Sequence, residues 1–377
     1  MTIIRQLAAT LALAFGTLTG WAQTGVAANE ILIGQFAAQT GPAAELGKRM
    51  QIGILAQFAA TNAAGGVNGR KIRLISRDDG YESERAVTAV RALIEEDKVF
   101  ALVGSVGTPT NLAALPIISA EKIPLVGLFT GAQALREPFN RNLFHVRASY
   151  FDETERIVQH LTTLGIKRIG VFYQNDSYGK AGLEGVTRAL ARRSLKPAGM
   201  GTVERNSLEV GPALAAFMKD PPEAIVQISA YTSCAALIKQ ARAKGYGGQF
   251  FNVSFVGSTA LAKELGETGT GVTISQVVPF PYTPSSAIVR EYQKRMTEAG
   301  HPDLDFSSME GFLSARILVE GLRRAGRNLT REGLVSALET LRNHDMGGFT
   351  VNYTPESHEG SRYTDLTLIG NKGKFVR

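Results

Sequence analysis

The chain has 377 residues, of which 44% are hydrophobic and 20% charged, a composition typical of a globular protein. Its 41 Lys and Arg residues outnumber its 34 Asp and Glu residues, but the two signs are interspersed and no basic stripe carries interleaved aromatics, so we predict no nucleic-acid partner. A single cysteine excludes an internal disulfide, and the length favours two domains.

The N-terminus has the pattern of a secretory signal peptide. Arg5 precedes a short apolar run rich in small residues, and Gly20 and Ala22 suit cleavage after Ala22, with Ala27 or Ala28 as alternative sites. The run is too short to span a bilayer comfortably. We therefore predict a signal peptide at residues 1–22 and a free, soluble mature protein.

Strands and helices alternate along the first half of the mature chain. Apolar runs predict strands at 30–36, 71–76, 99–104 and 124–129, and helical periodicity predicts helices at 47–62, 82–97 and 108–120. Repeated strand–helix units with short connections predict a parallel sheet with helices on both faces.

A second series of the same kind follows. Strands are predicted at 168–173, 200–203, 224–229 and 249–253, with helices at 178–193, 212–218 and 233–244. Between the two series a strand gives way to a helix with Asp152 as its predicted N-cap, so we place a domain boundary near Ser149. Further helices are predicted at 285–296, 309–324 and 331–341, and short strands after 347. The fold class is α/β with two halves.

Candidate ligand residues follow the predicted strands, because open parallel sheets bind ligands beyond the carboxyl ends of their strands. In the first series Ser105 and Thr108 lie where a helix begins, and the free N–H groups there favour a carboxylate. In the second series Tyr178, Tyr231 and Phe255 suit the apolar body of a ligand. The alternative for each residue is a helix cap or packing within its loop.

Seven segments in order resemble one family, the branched-chain amino-acid-type solute receptors, which are type I periplasmic binding proteins of ATP-binding cassette (ABC) importers. They are TGPAAELG, GGVNGRKIRLISRDDGYESERAV, LVGSVGTPTNLA, IPLVGLFTGA, FHVRASYFDET, GVFYQNDSYGKAG and AYTSCAALIKQARAKGY. The resemblance implies two lobes, each a parallel sheet flanked by helices, joined by three crossovers near Ser149, Pro279 and Leu341. The lobes would comprise 29–148 with 280–341, and 149–279 with 342–377.

The resemblance also implies roles for individual residues. Thr40 would lie in a loop over the solute, the Thr108 hydroxyl would bind a ligand carboxylate with Phe129 and Thr130 beside it, and Tyr178 and Tyr231 would contact the ligand from the second lobe. The full set of candidate ligand residues is Thr40, Ser105, Val106, Thr108, Phe129, Thr130, Tyr150, Asp152, Tyr178, Tyr231 and Phe255.

The sequence departs from this family at the residue that holds the amine of an amino acid. Amino-acid-binding members carry an acidic residue just after the strand that ends here at Val253, whereas this chain has Phe255-Val256-Gly257-Ser258. A buried ammonium without a partner costs several kcal/mol. Asp152, Asp176 and Glu45 are alternative sources of the acid. We expect a small organic carboxylate, aromatic ones included, with leucine-like amino acids as the second choice.

No catalytic or metal-binding pattern is present in the sequence. The five histidines are scattered, Cys234 is isolated, and the Asp78-Asp79 pair after a strand is interpreted as a solvated turn. We predict no enzyme activity and no cofactor. The expected protein is a monomeric receptor that closes on its solute and engages a membrane permease, and the alternative is a ligand sensor that feeds a chemoreceptor or regulatory system.

Overall fold

The structure is a computed structural model that describes residues 23–377. The predicted signal peptide at residues 1–22 lies outside the described residues. The first half of the chain forms β1 (Glu30–Ala37), α1 (Ala44–Ala63), β2 (Lys71–Asp78), α2 (Ser83–Glu95), β3 (Ala101–Val103), α3 (Thr108–Ala120), β4 (Leu125–Val126) and β5 (Leu143–Phe144). These five strands form one parallel sheet in the order β2-β1-β3-β4-β5, as the strand–helix alternation predicts.

The second series begins with a helix and alternates in the same way. It contains α4 (Tyr150–Thr163), β6 (Ile169–Gln174), α5 (Ser177–Ala191), β7 (Gly199–Val203), α6 (Gly211–Lys219), β8 (Ala224–Ile228), α7 (Tyr231–Ala243), β9 (Gln249–Asn252), α8 (Ser258–Leu265) and β10 (Thr273–Gln276). Sequence reasoning missed α8 and β10. The strands β7, β6, β8, β9 and β10 lie side by side and parallel in a second sheet.

The last part of the chain returns to both sheets. It contains α9 (Ala287–Glu298), α10 (Phe306–Ala325), α11 (Arg331–Leu338), β11 (His344–Asp345), β12 (Thr350–Val351), β13 (Asp365–Ile369) and β14 (Phe375–Val376). Strand β13 pairs antiparallel with β10, and β14 pairs antiparallel with β13, so both extend the second sheet. Strands β11 and β12 form a separate two-stranded sheet.

Helix α10 packs along α1 on one face of the first sheet. The two backbones are so close that a Cβ added at Gly53 would lie 1.9 Å from the carbonyl oxygen of Ser308, so only glycine fits there. Helix α11 is held to the same half by Arg331, whose guanidinium donates to the carbonyl oxygens of Val99 and Phe100 at 3.0 Å. The late helices therefore complete the first half.

The chain passes between the two sheets in three connections: after β5, after β10 and after α11. The boundaries expected near Ser149, Pro279 and Leu341 fall in or beside these connections, and the division into lobes stays a prediction. The predicted N-cap of α4 was wrong. Ser149 is the N-cap, and Asp152 closes a capping box from the third helical position by accepting from the Ser149 N–H at 3.0 Å.

Among residues 23–377 no helix combines the length and apolarity of a membrane crossing. No group of three or more metal-ligating side chains is found within the same residues.

Candidate functional site

Five aromatic rings meet where the strands of the two sheets end. Phe255, which follows β9, is fully buried, and its ring centroid lies 4.5 Å from that of Tyr178, 5.5 Å from Phe129 and 5.8 Å from Tyr81. Tyr150 joins them through Tyr178, at 5.3 Å. We call these five side chains the aromatic cluster. It combines residues after β2 and β4 of the first sheet with residues from the second series of strands and helices.

Two buried threonine hydroxyls lie beside this cluster on the first sheet. The Oγ1 atoms of Thr108, at the start of α3, and Thr130, after β4, are 2.6 Å apart. Their loops are tied together by the backbone, since the Phe129 N–H donates to the Ser105 carbonyl at 2.7 Å and Val106 forms a bridge to Phe129. The Ser105 hydroxyl is engaged elsewhere, because it donates to Asn111 Oδ1 at 2.7 Å.

Tyr150 and Tyr178 each bury a hydroxyl that has no hydrogen-bond partner among the described residues. Burial raises the pKa of Tyr150 to about 12 and raises the pKa of Tyr178 as well, so both phenols are neutral donors at ordinary pH. A buried polar group without a partner is costly, so these hydroxyls suit the polar atoms of a bound molecule.

Three of the candidate residues have other contacts. Thr40 is exposed, and its hydroxyl donates to Asp78 Oδ2 at 2.6 Å. Asp152 belongs to the α4 capping box. Tyr231 lines a separate cavity of about 240 Å³ together with Glu45 and Gly257. The structure thus brings together Thr108, Phe129, Thr130, Tyr150, Tyr178 and Phe255, with the Ser105–Val106 backbone beside them, and it gives Thr40 and Asp152 local structural roles.

Each of the three carboxylates that could replace the missing acid is already engaged. Asp176 caps α5 by accepting from the Tyr178 N–H at 2.9 Å, Glu45 lies 3.6 Å from Arg49, and Asp152 caps α4. None of residues 253–258, which follow β9, is acidic, and Phe255 brings a ring to the aromatic cluster.

Sequence reasoning missed Tyr81. Its φ of +63° is unusual for a residue with a bulky side chain, and the side chain is fully buried against Phe255. The available signal was its place just after β2, at the carboxyl end of a strand in a parallel sheet. The neighbouring prediction of a solvated Asp78-Asp79 turn was wrong for Asp79, which is 0% exposed and whose pKa burial raises to about 7.

A buried ionic group lies next to the aromatic cluster. The Arg147 guanidinium lies 5.0 Å from the centroid of the Phe129 ring, 3.2 Å from Glu153 and 3.7 Å from Glu310. Glu153 also accepts from the Ser254 backbone N–H at 2.7 Å, whereas Oε1 of Glu310 has no hydrogen-bond partner among residues 23–377. Burial raises the pKa of Glu310 to about 7, against the opposing effect of Arg147.

The comparisons with known proteins agree with this architecture. The family model described as periplasmic binding protein matches residues 30–374. A structure of a possible leucine/isoleucine/valine-binding protein from Rhodopirellula baltica is 36% identical, covers 93% of this chain and 97% of its own, and has a TM-score of 0.89. A substrate-binding periplasmic protein from Ralstonia solanacearum is 33% identical, with coverages of 92% and 99% and a TM-score of 0.87.

A curated relative, the Leu/Ile/Val-binding protein of Escherichia coli K12, is 23% identical over 286 residues, which are 74% of each chain. The chain belongs to the periplasmic binding protein family, and its two helix-flanked sheets have the type I fold of that family. The family consists of binding proteins, so the protein is a periplasmic binding protein and not an enzyme, as predicted.

Proposed function

We propose that this protein is the solute receptor of an ABC importer and that it captures a small organic carboxylate with an apolar or aromatic body. The observation that carries the proposal is the aromatic cluster built around Phe255 beside the paired Thr108 and Thr130 hydroxyls. The threonines and the unpartnered hydroxyls of Tyr150 and Tyr178 provide hydrogen bonds for a carboxylate. The rings provide the surface for its apolar body.

The same observation disfavours a ligand with an α-ammonium group. Phe255 is 0% exposed and brings a ring, not a carboxylate, to the cluster. Relatives such as the Escherichia coli protein are named for amino acids. Because a buried ammonium needs an ionised partner and the candidate acids are engaged in caps and an ion pair, we infer that the amine is absent from the solute.

Capture takes place by closure of two lobes, 29–148 with 280–341 and 149–279 with 342–377, about the three connections. The mature protein, after removal of residues 1–22, acts in the periplasm as a monomer and delivers its solute to a membrane permease. A ligand with higher affinity for the closed form shifts the equilibrium towards it, which gives the permease a distinct surface to engage.

Matched pairs of compounds that differ only in the α-ammonium group test the proposal. Pairs such as 4-methylpentanoate with leucine, and 3-phenylpropanoate with phenylalanine, are compared by thermal shift and calorimetry. At a hundredfold excess over its Kd, a solute stabilises the folded protein by about 2.7 kcal/mol. We expect the amine-free member of a pair to bind more tightly. Tighter binding of the amino acid in every pair, or no response to any compound, would refute the carboxylate assignment.

A further inference from the structure

Tyr81, a member of the aromatic cluster, contacts residues that follow strands of both sheets. Its ring is 5.8 Å from Phe255, which follows β9 of the second sheet. On the other side it lies against the turn before α3, because a Cβ added at Gly107 would be 2.4 Å from the Tyr81 ring. Gly107, with a φ of +104°, therefore lets the Tyr81 ring lie next to Thr108.

The Tyr81 hydroxyl is already engaged, unlike those of Tyr150 and Tyr178. It accepts a hydrogen bond of 3.2 Å from Nε2 of Gln174, the last residue of β6 in the second sheet. The same Nε2 donates to Asp176 Oδ2 at 2.6 Å. The bond accepted from Gln174 leaves the Tyr81 O–H free to donate, and the part of Tyr81 that contacts the rest of the aromatic cluster is its apolar ring, through Phe255.

Next to Tyr81, three side chains join the loop after β2 to the loop after β7. We call these side chains, Glu82, Arg205 and Asn206, the rim clasp. Nδ2 of Asn206 lies 2.7 Å from Glu82 Oε1, and Nη2 of Arg205 lies 3.1 Å from Glu82 Oε2. Arg205 also lies 6.0 Å from the centroid of the Tyr81 ring and 3.6 Å from Asp176. Glu82 follows β2 of the first sheet, and the other two residues follow β7 of the second.

The clasp contacts link loops of different sheets, so separating the sheets at this rim must break them. Each contact is partly exposed and individually weak, since the side chain of Arg205 is 23% exposed and that of Glu82 is 42% exposed. Their loss should therefore leave the fold intact and act on the rate of solute release, which is where most differences in affinity arise.

We propose that Tyr81 is a further specificity-determining residue that contacts the apolar body of the solute, and that the rim clasp holds it in place and slows release. The inference deepens the proposed function and rests on it. Tyr81 discriminates between solutes by the size of their apolar bodies. Asn206 is a positioning residue that acts equally on all solutes, because it contacts the Tyr81 loop and not the aromatic cluster.

The test measures the Kd and the dissociation rate of three carboxylates of increasing size, namely butanoate, 4-methylpentanoate and 3-phenylpropanoate. Tyr81→Ala should weaken binding of the aromatic acid by about tenfold and of butanoate by less than about threefold. Tyr81→Phe, which keeps the ring, should keep the order of preference among the three. Tyr81→Leu serves as a second cavity-forming variant if the alanine variant does not fold.

The clasp is tested with a matched pair of asparagines. Asn206→Ala should speed dissociation of every solute by about threefold to tenfold without changing their order. Asn175→Ala is the control, because Asn175 is exposed and, among residues 23–377, its side chain bonds only Glu204 on its own side of the rim. Its dissociation rates should match those of the wild type.

Equal losses for all three solutes in Tyr81→Ala would overturn the role of Tyr81 in specificity. Identical dissociation rates for Asn206→Ala and Asn175→Ala would overturn the role of the clasp. If the proposed function itself fails, the wild-type protein binds none of the three carboxylates, and both proposals fall together. That outcome is distinguishable from the two results above.

Discussion

Glu310→Gln should remove a pH-dependent loss of stability. Glu310 lies on α10, fully buried beside Arg147, with Glu153 and Arg136 as the other charged groups that act on it. Arg147 is shared with Glu153, which holds it at the shorter distance of 3.2 Å. Glutamine has nearly the same shape as the protonated carboxyl, so the variant keeps the packing and removes only the ionisation.

The magnitude follows from the two pKa values. Burial raises the pKa of Glu310 from 4.5 to about 7, so the stability that this group contributes is fully present below 4.5 and is lost as pH rises through about 7. A change of this size in pKa corresponds to about 3 kcal/mol when the group is fully ionised. The wild-type protein should lose about 2.5 kcal/mol relative to Glu310→Gln between about pH 5 and pH 8.

The assay is urea unfolding of both proteins at intervals across that pH range. Asp79 has a pKa of about 7 as well, but it is present in both proteins and cancels in the difference. The control is Glu320→Gln on the same helix. Burial acts to raise the pKa of Glu320, but the hydrogen bond and charge of Arg324 outweigh it, so that pKa lies below its ordinary value. The free energy of unfolding of Glu320→Gln, measured relative to that of the wild type, should not rise with pH. A pH-independent difference between wild type and Glu310→Gln would refute the reasoning.

Three further predictions concern the site and its surroundings. Thr108→Val should weaken carboxylate binding by about 1–3 kcal/mol in calorimetry. The control Thr88→Val, on the exposed face of α2, should leave the affinity unchanged. Unchanged affinity in Thr108→Val would remove Thr108 from the site. Gly107→Ala should reduce both solute affinity and thermal stability, because the new methyl group meets the Tyr81 ring at 2.4 Å and the backbone has a positive φ; a variant as stable as the wild type would contradict this. Cys234 is fully buried and burial raises the pKa of its thiol, so a thiol reagent should label it only after unfolding, and rapid labelling of the native protein would show that α7 is less tightly packed than described.

The alternation of strands and helices was predictable where a buried strand is an apolar run, as β8 is, but not at β10, whose residues Thr273–Gln276 are buried yet mostly polar. Boundaries were less predictable where the backbone turns early. The apolar run predicts a strand over 124–129, yet β4 contains only Leu125 and Val126, because Gly127 has a φ of +73° and interrupts the ladder. Beyond this interruption the Phe129 backbone forms an isolated bridge to Val106, and its ring packs on Phe255.

The sequence predicts those residues of the candidate site that come just after an apolar strand, such as Thr108 and Phe255. The site was not predictable where the environment comes from distant parts of the chain. The burial of Arg147 depends on Glu310 from a late helix, and charged side chains are normally exposed, so local sequence favours the opposite expectation. The interaction of Tyr81 depends likewise on Gln174, 93 residues further along the chain.

The connectivity of the last hundred residues has a consequence for how the molecule is made. Helix α10 must reach α1 before the first half is complete, and β13 must reach β10 before the second sheet acquires its final strands. During synthesis, therefore, neither half can finish folding until nearly the whole polypeptide has emerged. A chain with this connectivity stays incompletely folded for most of its synthesis.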